Sequence, residues 1–129
     1  MAAADERQAI CRSRELLDGK RGVRFQVWRH GERVPAFVVR FQGRVHAYLN
    51  RCAHRSLELD WNEGDFFDAF GELLLCATHG ARYVPASGTC VGGPCGRAGL
   101  SKLAVFEENG DVCLEAGNNI HLVTTDGIT

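Results

Sequence analysis

Two short segments of this 129-residue chain each offer one thiol and one imidazole: Cys52-Ala53-His54 and Cys76-Ala77-Thr78-His79, separated by residues 55–75. A zinc finger of the Cys2His2 kind gathers its cysteines in one motif and its histidines in another. Here each motif is mixed. Two such loops can put both thiolates on one metal and both imidazoles on a second, which suits an asymmetric two-iron cluster. Neutral imidazole in place of thiolate leaves such a cluster with less negative charge and makes it easier to reduce. A single zinc ion accepts the same four donors, so the residues taken alone leave that reading open as well.

Composition narrows the setting. The chain is 45% hydrophobic and 24% charged, with a formal net charge of -1 and a sequence pI near 6.5, as in an ordinary globular protein. A nucleic-acid partner calls for a basic face and a high pI, so that class is set aside. The opening MAAADERQAICRSRELLDGK scatters charges among its apolar residues and has neither a signal-peptide core nor a membrane span. The expectation is a cytoplasmic protein without a membrane partner. Six cysteines in such a compartment read as reduced thiols or metal ligands rather than a disulfide framework.

The elements that must position the two motifs are short strands. VRFQVWR (23–29), PAFVVRF (35–41) and RVHAYLN (44–50) are rich in β-branched and aromatic residues and are joined by His30-Gly31-Glu32 and Gln42-Gly43, predicting a three-stranded meander. LAVFEE (103–108) and DVCLEA (111–116) flank Asn109-Gly110, the dipeptide best suited to a type I′ hairpin turn. Trp28, Phe37, Phe41, Tyr48 and Phe106 fall on these strands as core or sheet-face residues. Residues 51–100 concentrate Gly, Pro, Cys and His without clear periodicity and read as the functional loops. Within them WNEGDFFDAF (61–70) reads as a packed connection or as part of a partner-docking surface. Ile10, Leu16 and Leu17, with Gly19 to stop them, predict a short amphipathic helix within residues 1–20. Residues 117–129 read as a polar tail. The whole is one all-β domain spanning 1–129.

The segments NRCAHRSL (50–57), LLCATHGARY (74–83) and SGTCVGGPC (87–95) resemble the first cluster loop, the second cluster loop and the proline-containing loop of the Rieske iron-sulfur family. The resemblance covers most of residues 23–116, and Asn50, Gly80 and Gly93-Pro94 add to it. It implies an antiparallel β sandwich or barrel base carrying a small cluster-binding subdomain of two loops. It also implies one 2Fe-2S cluster, with Cys52 and Cys76 on the inner iron and His54 and His79 on the outer iron at an exposed tip.

Departures from the family pattern refine this. Respiratory members brace the cluster with a disulfide between positions that match Leu57 and Thr78 here, so that disulfide is absent and the resemblance points to the ferredoxin-like branch. A serine that donates to a bridging sulfide in high-potential members is matched by Ala81, whereas a tyrosine that donates to a ligand thiolate is matched by Tyr83. Such donors raise the potential, so a low to intermediate value within the Rieske range is expected. Cys11, Cys90, Cys95 and Cys113 read as small packing residues, the 90/95 pair leaving room for a local redox pair or a second metal site.

A Rieske oxygenase also needs a mononuclear iron on two histidines and a carboxylate. With the ligands assigned, only His30, His46 and His121 remain, and each reads as a surface or strand histidine. No catalytic residue is expected. The implied function is electron transfer, as a ferredoxin docking a reductase and an oxygenase at the His54/His79 tip, with Arg55 and Arg82 as docking charges or plain solvated surface. The alternatives are the small iron-sulfur subunit of a reductase such as nitrite reductase, and a structural zinc module for protein interaction.

Overall fold

The computed structural model describes residues 8–51, 58–60, 62–78, 80–94, 99–115 and 120–123. In chain order these form β1 (Gln8–Arg12), a 3-10 turn (Ser13–Glu15), β2 (Val23–Arg29), β3 (Glu32–Phe41), β4 (Arg44–Leu49), β5 (Leu74–Leu75) and β6 (Arg82–Tyr83). β7 (Cys90–Gly92), β8 (Lys102–Leu103), β9 (Val105–Glu108), β10 (Asp111–Leu114) and β11 (Ile120–Leu122) complete them. They make three antiparallel sheets, ordered β11-β2-β3-β4-β8, β1-β10-β9 and β5-β6-β7. The first two are the base and the third is the small sheet that brackets Cys76-Ala77-Thr78.

The predicted meander is present as β2-β3-β4, with β3 longer at its start than expected because Glu32, Arg33 and Val34 pair with Arg29, Trp28 and Val27. Its turns, and that of the β9–β10 hairpin, put two successive residues at positive φ: His30-Gly31, Gln42-Gly43 and Asn109-Gly110. This is the type I′ geometry whose twist matches the flanking strands, and glycine holds the second position without a Cβ clash.

β3 is buried on both faces. Alternation sends Ala36 and Val38 into one apolar cluster with Val27, Val34, Leu49, Leu103, Val112 and Leu114, between the two base sheets. Phe37 and Val39 point the other way and join Tyr48, Leu59, Phe66, Leu74, Cys76, Ala81, Tyr83 and Leu100, beneath the small sheet. A strand that alternates between two cores must be apolar at consecutive positions, and AFVV (36–39) meets that demand. Phe37 stacks on Phe66 with ring centroids 4.0 Å apart, tying the 61–70 segment to the base.

Three expectations are corrected. The predicted N-terminal helix does not exist among the described residues: residues 8–12 are the strand β1, paired with β10, and a single 3-10 turn follows. The apolar positions there are few, Leu17 is exposed, and the free edge of the β9–β10 hairpin offers backbone partners that a lone short helix lacks. The 103–108 run is divided at Ala104, since Leu103 pairs with Ala47 on β4 while β9 belongs to the other base sheet. Within the predicted tail, residues 120–122 form an edge strand on β2; residues 117–119 and 124–129 lie outside the described residues. Phe37 and Tyr48 are buried as expected, whereas Trp28 and Phe106 lie on outer faces, with Arg33 over the Trp28 ring.

Candidate metal centre

Of the four expected ligands, Cys76 lies among the described residues; Cys52, His54 and His79 lie outside them, as do Arg55, Leu57, Trp61 and Cys95. Cys76 follows β5 directly and starts a tight turn. Its carbonyl accepts from the Gly80 N–H at 2.8 Å and its own N–H donates to Ala81 O at 2.8 Å. Gly80 closes the turn at φ +79°, where an L side chain is strained. The turn hands the chain to β6, whose alternation sends Ala81 and Tyr83 inward and leaves Arg82 exposed. Cys76 is fully buried and outside any disulfide, and it shares one apolar cluster with Ala81 and Tyr83.

The two ends of the first ligand loop are described, and both are held by polar groups. Asn50, at the end of β4, is wholly buried; its Oδ1 accepts from Leu59 N at 2.8 Å and its Nδ2 donates to Asp60 Oδ1 at 3.0 Å. The Asp60 side chain has 0% exposure. Its Oδ2 accepts from Gly64 N at 2.9 Å and faces Arg24 Nε at 3.2 Å. Arg24, on β2, also reaches Glu58 and Glu63. Leu59 in turn accepts at its carbonyl from Ala77 N at 3.0 Å, so one peptide segment bonds to both ligand loops.

The third loop approaches from the other side. Gly93 sits at φ +80°, and a Cβ there would fall 2.6 Å from Gly80 O and 2.7 Å from Ala81 Cα, closer than atoms pack. Glycine is required for this loop to lie against the second. Pro94 follows it at the surface. Deeper in, Tyr48 donates its hydroxyl to Pro85 O at 2.6 Å, and burial pushes its pKa well up, so the phenol stays a donor.

Cys90 is half-buried on β7 and disulfide-bonded, so of the readings open for it the plain packing thiol does not hold. This bond differs from the bracing disulfide expected to be absent, because Thr78 and Leu57 still occupy those positions. Cys11 and Cys113 are outside any disulfide and pack in the base. Burial, then the nearby Glu15 carboxylate, pushes the Cys11 thiol up to about 12, which keeps it protonated and unreactive.

His30 lies in an exposed turn and His121 on the exposed face of β11. His46 is half-buried on β4, and burial followed by the charges of Lys102 and Arg44 lowers its pKa. None joins Cys76. The 61–70 segment divides: Phe66 is core, whereas Phe70 is 82% exposed beside a groove of about 700 Å³ bordered by Leu17, Lys20 and Phe67. Of the carboxylates there, Asp18 accepts from Gln42 and Gly43 N–H, Asp68 accepts from Phe70 and Glu72 N–H, and Asp65 lies 3.7 Å from the Arg21 guanidinium. Among the described residues no helix is long and apolar enough to cross a membrane.

Sequence reasoning marked Asn50 but missed Arg24, Asp60 and Leu59. Their sequence separation carries no motif, and a lone Asp or Arg in a chain gives no sign that it is buried or paired.

The described residues thus make a three-sheet β architecture with a buried cysteine turn, a glycine-proline loop pressed against it and a further loop tied to it. The model of the Rieske [2Fe-2S] domain matches residues 6–112, and the chain belongs to that family. Comparison with curated proteins finds no match. Among solved structures, the chain is similar to a ferredoxin of Sphingomonas yanoikuyae B1, with a TM-score of 0.67, 22% identity, and coverage of 86% of this chain and 99% of that one. It is equally similar to the ferredoxin of carbazole 1,9a-dioxygenase from Nocardioides aromaticivorans IC177, with a TM-score of 0.67, 22% identity and coverage of 86% and 98%. A chain in the complex of reduced oxygenase and oxidized ferredoxin in carbazole 1,9a-dioxygenase aligns with a TM-score of 0.66, 22% identity and coverage of 85% and 93%.

The described residues fit a 2Fe-2S cluster. A buried thiol outside any disulfide heads the second loop, the first loop is joined to it through Leu59 and Ala77, and the third closes against it at Gly93.

Proposed function

We propose that this chain is an electron carrier that holds one 2Fe-2S cluster through Cys52, His54, Cys76 and His79, as the ferredoxin component linking a reductase to an oxygenase. The observation that carries this reading is the complete mixed ligand set in a chain matched to the Rieske [2Fe-2S] domain over residues 6–112. Its likeness in fold to the ferredoxins of Sphingomonas yanoikuyae B1 and of carbazole 1,9a-dioxygenase supports the carrier reading. When bound, such a cluster takes up and releases one electron.

The chain's own residues serve three tasks in this reading. The apolar cluster around Cys76 shields the inner side of the site from water, and Tyr83 lies within it. Ala81 offers no hydroxyl to a sulfide, so one stabilising donor to the reduced state is missing. Exposed Val91 on β7 and exposed Arg82 on the neighbouring β6 supply apolar area and charge near the second loop, a combination suited to brief, electrostatically steered docking.

The test is anaerobic purification of the full chain with iron, sulfide and zinc analysis, followed by electron paramagnetic resonance of the reduced form. Two irons per chain and a spectrum of low average g value are expected. Stoichiometric zinc without iron overturns the reading. A redox titration is expected to fall in the lower to middle part of the range of roughly -150 to +300 mV known for such centres; a value near the top refutes the assignment of Ala81 as a missing donor.

A further inference from the structure

We propose that Asn50 and Asp60 are positioning residues of the metal centre: anchored by Arg24, they close the first ligand loop and, through Leu59, hold it in register with the second. The inference rests on the cluster reading above.

Three observations carry it. First, the clasp spans rigid elements of the base, with Arg24 on β2 and Asn50 at the end of β4, whose N–H donates to Pro35 O on β3 at 2.8 Å. Groups mounted on strands hold position better than groups on loops. Second, every link is matched in donor and acceptor. Asn50 accepts from Leu59 and donates to Asp60, whose carboxylate also takes Gly64 N and the Arg24 guanidinium. A carboxylate with no exposure is tolerated only when so satisfied, and apolar residues of equal volume often serve stability as well. A buried polar set in place of an apolar one therefore points to geometry. Third, Leu59 is bonded on both sides, its N–H to Asn50 and its carbonyl to Ala77, the neighbour of Cys76. Any displacement of Asn50 or Asp60 shifts Leu59 and is passed to both ligand loops.

The experiment uses the full chain carrying its cluster. Asn50→Ala, Asp60→Asn, the exchange Asn50→Asp with Asp60→Asn, and the base-core control Val34→Ala are compared by thermal midpoint, rate of cluster loss followed by visible absorbance, and the spectrum of the reduced form. Asn50→Ala removes both links. In Asp60→Asn, whichever way the amide turns, its NH2 faces another donor. Both are expected to lose the cluster roughly ten- to hundredfold faster than the parent, as when groups supporting metal ligands are removed, and to shift the g values. The exchange puts the carboxylate at 50, where it accepts from Leu59 N and from the new amide at 60, and is expected to recover most of the retention. Val34→Ala is expected to lower the thermal midpoint while leaving cluster loss and spectrum unchanged. If Asn50→Ala does not fold, Arg24→Lys, which keeps the charge but not the fork, is expected to show the same effect in milder form. Parental retention and spectrum in the clasp variants, or equal cluster loss in Val34→Ala at an equal drop in midpoint, overturns the inference. Absence of the iron-sulfur spectrum from the parent overturns the reading beneath it.

Discussion

β2 and β3 pair residue for residue from Val23–Val38 to Arg29–Glu32, and the apolar side chains between the base sheets are mostly valine, leucine and alanine. In the region around Cys76 the strands are only two or three residues long. There the chain is held by backbone bonds across loops, by the Phe37–Phe66 stack, by a glycine contact and by a buried polar clasp. A ladder distributes its strength over many equivalent bonds, so the base tolerates single losses. Around Cys76 the described residues rely instead on individual contacts between loops. Precision there comes from tying these loops to the base strands, since groups mounted on strands hold position better than groups on loops.

Substitutions can break this contrast, and the largest effect falls at the ligand. Cys76→Ser is expected to abolish the iron-sulfur spectrum and leave less than stoichiometric iron, while amide exchange in β2, β3 and β4 stays slow. Loss of protection throughout the base shows that the two regions are not separable. Next comes the aromatic tie. Phe66→Ala is expected to destabilise by about 3–5 kcal/mol and to speed exchange in β5 and β6 first. Val34→Ala in the base, losing about two methyl equivalents, costs about 2 kcal/mol, measured by denaturant unfolding.

Gly93→Ala is expected to destabilise by about 1–3 kcal/mol through strain at positive φ and displaced neighbours, with faster cluster loss as the visible readout. An alanine that leaves cluster retention untouched shows the third loop to be a bystander.

The smallest effect lies in the base, at the ion pair of Arg40 with Glu107, 2.7 Å apart. The Arg40 hydrogen bond holds the Glu107 carboxyl below its usual value. A group with a depressed folded-state pKa contributes stability that is present above its unfolded value of 4.5 and is lost as pH falls through the folded one. Glu107→Gln is expected to reduce stability by about 1 kcal/mol at neutral pH and to flatten the acid limb of the stability profile. An unchanged acid limb removes this pair from the account. His46, with its pKa lowered chiefly by burial, acts in the same direction: stability falls as pH drops below about 6.5, the value in an unfolded chain.

The legible parts of the sequence were those whose information is local. Enrichment in Val, Phe and Tyr marked β2, β3 and β4, and Asn109-Gly110 marked the β9–β10 turn, because each signal lies within a few residues of the structure it specifies. The paired Cys and His motifs pointed to the Rieske family, whose model matches residues 6–112, for the same reason, since residue type and spacing are written in adjacent residues. The N-terminal strand escaped because pairing of β1 with β10 joins residues about a hundred positions apart. β11 escaped likewise, its edge position on β2 unreadable from the three residues Ile120-His121-Leu122.

By itself, then, the amino-acid sequence determined the family resemblance, the β meander and the glycine turns, all written in short local segments. Only the tertiary structure decided that AFVV faces two cores, that Cys90 lies in a disulfide, and that Arg24, Asn50 and Asp60 meet. Burial and pairing are properties of the space between distant segments, and that space exists only once the sheets have packed.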